Sequence, residues 1–251
     1  MRVLVALVAL FTFVTSAGAD EAIDSARALL ASWHEDPARI DRARTVLESA
    51  AATRPTADVL VELSRAWFLT GDIRARSDAE KQAAYERGRE AARRAVALAP
   101  GNDMAHLWLG INTGRYAESR GMRAGLTMLP SIREASDTVL RLNPHNVDGL
   151  ILAGGIYANV PRLMGGDRGK AETYFKRALE LDPHKTGGRI ELAELYVDLR
   201  RWNEARRELQ RVVDETAPTD LPRWTVSELP RARRLLAEVA ERDPRGSGQS
   251  P

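Results

Sequence analysis

The chain has 251 residues, enough for one large domain or two small ones, and 44% of them are hydrophobic, so it can bury a sizeable core. Its 37 Lys and Arg residues nearly balance 35 Asp and Glu residues, and a net charge of +2 is no signature of nucleic-acid binding. The absence of cysteine excludes disulfides, thiolate metal sites, a cysteine nucleophile and a lipid anchor on an N-terminal cysteine. Composition therefore indicates a helical globular protein without pointing to an activity.

The first segment, residues 1–19, has the pattern of a secretory signal peptide. A single positive charge at Arg2 precedes an apolar run, Val3 to Val14, and the small residues Ala17 and Ala19 end the segment. An uncleaved membrane anchor is the alternative, but the apolar run is shorter than the ~20 residues that span a bilayer. We expect cleavage after Ala19, export, a periplasmic location if the organism is a Gram-negative bacterium, and no stable membrane span after cleavage.

Residues 20–242 contain a repeated pattern of helix ends. Four segments, LESAAATRP, ARRAVALAP, SDTVLRLNP and FKRALELDP, each read as a helix closed by a proline, which cannot continue the helix. The closing prolines, which lie 45, 44 and 39 residues apart, are Pro55, Pro100, Pro144 and Pro183. The helix that follows each proline is the first helix of the next repeat; it carries a small residue on its packing face, with an aromatic residue one turn later in most copies. Gly154 followed by Tyr157 is an example.

The order of residue types resembles the tetratricopeptide repeat, whose period is about 34 residues. The best copy continues from Tyr196 to Ala205, Leu209 and Val212. This resemblance implies an all-α fold, a right-handed superhelical solenoid of about four or five antiparallel helix pairs with inserts between paired helices. We expect a capping helix that begins with Ser227 as its N-cap. Residues 243–251 have the composition of a disordered tail.

Three repeats are longer than this period and carry inserts between their two helices. The extra residues fall in Thr70–Ala84, Gly114–Pro130 and Asn159–Gly169. Inserts of this kind emerge on one edge of a solenoid, where loops usually carry partner contacts. In the first two inserts, lengthening of the flanking helices explains the extra residues as well as a free loop does.

The third insert has a more specific motif. Pro161 is expected to stop the first helix, Gly165 and Gly166 to turn the chain, and Asp167 to cap the second helix. This string resembles the T component, the tetratricopeptide-like subunit, of TRAP transporter systems, and it is similar to the eukaryotic regulator of microtubule dynamics proteins. The resemblance to the T component implies a periplasmic protein that associates with a solute-binding subunit. Members of that family are commonly lipoproteins, and this chain has no lipobox cysteine.

The sequence offers no arrangement of residues that supports catalysis. The histidines are His34, His106, His145 and His184. His145 and His184 follow equivalent prolines and could lie near each other, but neither has a carboxylate or a cysteine at ligand spacing. We therefore predict no metal site, no cofactor and no enzymatic activity. The Gly-Gly-Asp string lacks the spacing of a phosphate-binding loop, and arginine-rich pieces alternate with acids, as expected for solvated helix faces rather than nucleic-acid contacts.

A concave groove is the surface with which tetratricopeptide proteins bind, and the family's offsets place mostly apolar side chains there. The apolar groove residues are Phe68, Met104, Leu107, Ile111, Ile151, Ile190 and Val197. An apolar groove needs a cover in water, which could be the chain's own inserts or C-terminal segment, a second copy in a homo-oligomer, a protein partner or a small apolar ligand. The sequence thus predicts an exported non-enzymatic adaptor for a solute-binding subunit, or alternatively a general cell-envelope scaffold that docks peptide segments.

Cleavage after Ala19 gives a direct prediction, because Ala17 and Ala19 are the small residues that signal peptidase requires. Mass spectrometry of the exported protein should find Asp20 as the first residue. An exported form that keeps the apolar run would contradict the prediction and favour the membrane anchor.

Overall fold

The computed structural model describes residues 18–243, which form helices and turns without a β-strand. Residues 1–17 of the predicted signal peptide and residues 244–251 of the predicted tail lie outside the described part. Residues 18–30 are helical and are called α1. The helices that follow are α2 (Ala38–Thr53), α3 (Ala57–Leu69), α4 (Asp78–Leu98), α5 (Asp103–Ser119), α6 (Met122–Leu142), α7 (Val147–Asn159), α8 (Arg168–Leu181), α9 (Thr186–Asp198), α10 (Trp202–Val213), α11 (Leu221–Arg223) and α12 (Leu229–Arg242). The order is that of successive helix pairs followed by a C-terminal helix, which confirms the predicted helical repeat fold.

The chain divides into two compact units, with the boundary between Thr138 and Val139 inside α6. In the first unit, α3 packs against α2, α4 and α5, and Leu60 is fully buried in the core. In the second unit, α8 packs against α7 and α9, α10 packs against α9 and α12, and Phe175 and Leu209 are fully buried. Each such side chain stabilises its unit by about 1.5–3 kcal/mol relative to leaving it in water.

Short polar side chains fix where three of the helices begin. Thr56, Asn102 and Asn146 lie one or two residues after a closing proline and have extended backbone conformations. Their side-chain oxygens accept hydrogen bonds from backbone amides three residues later, at 3.2, 3.1 and 2.8 Å. Because each bond satisfies an amide that has no partner within the helix, the proline and the cap together place the junction between successive repeats.

The first two inserts lengthen helices rather than form free loops. The first continues α3 through a π-helical turn, Thr70–Arg74, and α4 then starts after Ser77, whose side chain caps it. In the second, α5 runs to Ser119 and only two residues separate it from Met122, the start of α6. Gly121 makes this sharp turn with a φ of 86°. Extension is favoured because each added helical residue gains a backbone hydrogen bond inside the element.

The C-terminal helix begins earlier than the sequence predicts, so the assignment of Ser227 as its N-cap is wrong. Asp220 caps the helix instead, accepting a hydrogen bond from the amide of Arg223 at 3.1 Å. The helix then passes through a π-helical segment, Trp224–Glu228, into α12. The Ser227 hydroxyl lies inside this run and donates to the carbonyl of Arg223 at 2.9 Å.

A glycine sets the distance between α7 and α8. A Cβ atom at Gly154 would lie 2.5 Å from Cε1 of the Phe175 ring, which is fully buried. A Cβ atom at Gly155, the next residue of α7, would have no neighbouring atom within 4 Å. The two helices therefore approach as closely as they do because Gly154 leaves room for the aromatic ring.

Replacing Gly154 by alanine tests this contact, with Gly155→Ala as the matched control on the same helix. We expect Gly154→Ala to lower the free energy of unfolding by about 1–3 kcal/mol, since the methyl group forces the Phe175 ring to move. Gly155→Ala should leave stability unchanged or raise it by up to about 1 kcal/mol through helix propensity. Chemical denaturation of both variants measures the difference, and equal effects would show that the close approach is not a constraint.

An ionic cluster joins α8 to the end of α9. The carboxylate of Glu172 accepts hydrogen bonds from Arg201 at 2.7 Å and from the hydroxyl of Tyr196 at 3.0 Å, and it pairs with Lys176 at 2.7 Å. Burial alone would raise the pKa of Glu172, but these hydrogen bonds outweigh it and lower the pKa to about 2. The cluster therefore stabilises the second unit only while Glu172 is ionised.

This shift predicts the pH dependence of stability. Because the pKa of Glu172 falls from 4.5 to about 2 on folding, its contribution is complete above pH 4.5 and is lost as the pH falls toward 2. The difference in free energy of unfolding between the native chain and Glu172→Gln should therefore shrink over that window. Glu180→Gln removes an exposed ion pair with Arg177 from the same helix and controls for loss of a surface charge. A difference that stays constant with pH would contradict the role of the cluster.

Candidate functional site

In the first unit, two of the predicted groove residues belong to the core. Leu107 is 1% exposed, and Phe68 is almost as fully buried. The Phe68 ring lies 5.4 Å from the ring of Trp108 and 6.4 Å from that of Tyr85, measured between centroids. Since these three rings come from α3, α4 and α5, Phe68 packs between the helices, and its prediction as an accessible groove residue is wrong.

In the second unit, Ile190 is likewise a core residue rather than a groove residue, with 1% of its surface exposed. Ile151 of α7 reaches the next first helix, because a Cβ atom at Gly188 of α9 would lie 3.1 Å from its Cδ1 atom. The physical reason for both corrections is that neighbouring first helices pack directly on one another, which buries the positions between them.

The remaining groove residues keep part of their surface in water. The half-buried members are Met104 and Ile111 on α5, Ile151 on α7 and Val197 on α9. Each also packs against the buried core of its own unit. Each unit therefore keeps two of these apolar side chains half-buried, and we call the pair its apolar strip.

The C-terminal segment covers part of α9 in the second unit. Thr186, in the first turn of α9, donates its hydroxyl to the carboxylate of Glu228 at 2.5 Å, and Arg231 pairs with Glu194 at 2.6 Å. Burial raises the pKa of Glu228, although the hydrogen bond from Thr186 and the charge of Arg223 oppose the shift. The C-terminal segment was one of the candidate covers, and in this unit the chain covers its own last repeat.

The first insert is held in place by a buried carboxylate. Asp72 accepts hydrogen bonds from the hydroxyl of Tyr85 at 2.7 Å and from Arg115 at 2.6 Å. Burial and the neighbouring Asp72 carboxylate raise the pKa of Tyr85, so its hydroxyl stays protonated and remains a donor. This contact fixes the turn after α3 against α4 and α5.

The third insert forms a compact turn that we call the insert loop, residues 160–167. Residues Arg162–Met164 make one turn of 3₁₀ helix, and Gly165 takes a left-handed conformation with a φ of 88°. A Cβ atom at Gly166 would collide with the carbonyl oxygen of Val160. The side chain of Asp167 accepts hydrogen bonds from two amides at the start of α8, both at 3.0 Å. The predicted local roles of the two glycines and of the capping aspartate are confirmed, as is the end of α7 just before Pro161.

Sequence reasoning missed the side chains at the tip of this loop. Leu163 is fully exposed, with a relative accessible surface of 101%, and Met164 is also exposed. The signal was available, because two large apolar residues between Pro161 and Gly165 have no helix or strand periodicity that could bury them. Leu163 and Met164 therefore form an exposed apolar tip on the insert loop.

Within residues 18–243, no group of three or more His, Cys, Asp or Glu side chains is placed to hold a metal ion. In the same stretch, no helix combines the length and the apolar character needed to cross a bilayer.

Solved structures with a similar fold include a thermophilic tetratricopeptide protein of Thermus thermophilus. It is 23% identical, with a TM-score of 0.63, and the match covers 85% of this chain and 98% of that protein. PilF of Pseudomonas aeruginosa is 17% identical, with a TM-score of 0.52, and the match covers 91% of this chain and 93% of PilF. The matching chain of the Cut9–Hcn1 structure of the APC/C is 14% identical, with a TM-score of 0.60. The match covers 91% of this chain and 40% of that one. At these identities the likeness shows the fold alone.

Two family models match the sequence, whereas no curated protein does. A tetratricopeptide repeat model matches residues 162–225, in agreement with the helical repeat fold of the described residues. The model of regulator of microtubule dynamics protein 1-3 matches residues 23–157, more than half of the chain. The chain therefore belongs to the regulator of microtubule dynamics protein 1-3 family.

Proposed function

We propose that the protein is an exported, non-enzymatic adaptor that holds a periplasmic solute-binding subunit of a TRAP-type uptake system. The observation that carries this proposal is a segment with the pattern of a signal peptide, residues 1–19, that leads directly into a protein–protein interaction scaffold. The insert loop, whose sequence resembles that of the T component, adds support. A general cell-envelope scaffold for peptide segments is the broader form of the same proposal.

The half-buried apolar strips are the proposed contact surface. Met104 and Ile111 lie on α5 of the first unit, and Ile151 and Val197 lie on α7 and α9 of the second. Covering a strip that is partly exposed in the free protein favours binding, because each apolar side chain fully removed from water contributes about 1.5–3 kcal/mol to the binding free energy. An apolar segment of the partner, or a small apolar ligand, would supply that cover.

The family match favours a second candidate, an effect on microtubule dynamics, since that is what the family's name describes. The two candidates require different compartments, because microtubules are cytoplasmic and an exported protein does not meet them. Cell fractionation decides between them. The processed protein should appear in the exported fraction, and an unprocessed protein retained in the cytoplasm would favour the second candidate.

Binding to the purified solute-binding subunits of the same organism tests the adaptor proposal. Isothermal titration should show saturable binding of the processed protein to at least one subunit, and Ile111→Gln should weaken that binding roughly tenfold, the effect of one apolar side chain. Circular dichroism should show that Ile111→Gln keeps its helices.

Leu107→Gln, one helical turn away on α5, is the contrasting variant. Because Leu107 is 1% exposed, a buried amide at this position should lower the free energy of unfolding by about 2 kcal/mol or more. Absence of binding to every subunit tested would contradict the adaptor proposal. Binding that Ile111→Gln leaves unchanged would contradict the proposed contact surface.

A further inference from the structure

We propose that the insert loop, residues 160–167, docks the protein on a membrane surface that contains anionic phospholipid. Leu163 is the side chain that would enter the boundary between headgroups and acyl chains. This inference stands apart from the adaptor function, because it concerns a lipid surface and uses residues outside the apolar strips.

The loop presents Leu163 in one fixed conformation. Gly166 has no room for a side chain beside the carbonyl of Val160, and Asp167 is tied to the first turn of α8 by two hydrogen bonds of 3.0 Å. The 3₁₀ turn, Arg162–Met164, then places Leu163 fully in water. Because these contacts order the loop backbone before binding, insertion of Leu163 costs little backbone conformational entropy.

The backbone of the loop is suited to an environment with little water. The amides of Met164 and Gly166 both donate to the carbonyl of Pro161, at 2.8 and 3.1 Å, and the amide of Gly165 donates to Arg162 at 3.0 Å. The amide of Asp167 donates to the carbonyl of Tyr157 on α7 at 2.9 Å. Polar backbone groups that enter lipid without hydrogen-bond partners raise the free energy, and these four amides already donate to carbonyls within the protein.

Positively charged residues lie close to the apolar tip along the chain, and one of them, Lys170, also lies over the ring of Tyr157 at 5.3 Å. Arg162 is part of the tip, and Arg168 and Lys170 follow it in the first turn of α8, all three with exposed side chains. Asp167, the acid between them, uses one carboxylate oxygen to cap α8, and the pair between Arg168 and Asp198 is long, at 3.8 Å, with both side chains about half exposed or more. Cations of this kind are attracted to anionic headgroups.

The single exposed leucine favours a bilayer over a protein as the occupant. One fully exposed side chain at a loop tip needs a matching pocket on a protein, whereas the headgroup boundary of a bilayer accepts a single apolar side chain without such a pocket.

A single fluorescent label tests the proposal, because the native chain has no cysteine and any introduced cysteine is unique. Leu163→Cys in the processed protein is labelled with an environment-sensitive dye and mixed with vesicles of phosphatidylcholine, with or without phosphatidylglycerol. Leu98→Cys, at another exposed leucine in the first unit, is the matched control. We expect a blue-shifted, stronger emission at position 163 with phosphatidylglycerol vesicles, weakening at high salt, and no change at position 98.

Vesicle sedimentation of unlabelled variants measures the affinity. Leu163→Gln should lower the partition coefficient roughly tenfold, and Arg162→Gln should lower it roughly fivefold, while Leu98→Gln leaves it unchanged. No response at position 163 to either vesicle would overturn the proposal. A response at position 163 to a purified solute-binding subunit, without one to vesicles, would overturn it as well and assign the loop to a protein partner.

Discussion

The close approach of paired helices through residues without bulky side chains is the constraint on which the rest of this structure depends. In the second unit, Gly154 leaves the space that the buried ring of Phe175 fills. In the first unit, Gly88 of α4 allows a similar close approach to α5 of the next repeat, since a Cβ atom there would collide with the side chain of Asn112. The carbonyl of Gly88 also accepts a hydrogen bond of 2.8 Å from the hydroxyl of Ser64. Because the helices carry few large aromatic residues, this interlocking largely fixes the distance between them.

The same constraint links the scaffold to its candidate contact surfaces. The insert loop joins α7 to α8, and its last amide, that of Asp167, is bonded to the carbonyl of Tyr157 on α7 at 2.9 Å. The distance set by Gly154 and Phe175 is therefore also the distance that the loop must span. The loop that spans this distance carries Leu163 fully in water.

Much of the fold could be predicted from the sequence because the local signals are strong and repeated. The closing prolines, the small residues on the packing faces and the capping role of Asp167 each follow from the chemistry of one or two residues. The groove could not be predicted in the same way. A family offset states which side of a helix a residue is on, but the burial of Phe68 and Ile190 depends on how closely the neighbouring helices pack, which is a tertiary property. The start of the C-terminal helix was missed because Ser227 and Asp220 both fit an N-cap, and packing decides between them.

A double-mutant cycle between Gly154 and Phe175 tests the central claim, that this contact sets the helix distance, most directly. The free energy of unfolding is measured for the native chain, for Gly154→Ala, for Phe175→Leu and for the double variant. If the ring and the glycine share one space, the loss caused by Gly154→Ala should shrink by about 1 kcal/mol or more when leucine replaces the ring, because the two residues are in contact. Equal losses in both backgrounds would contradict the account.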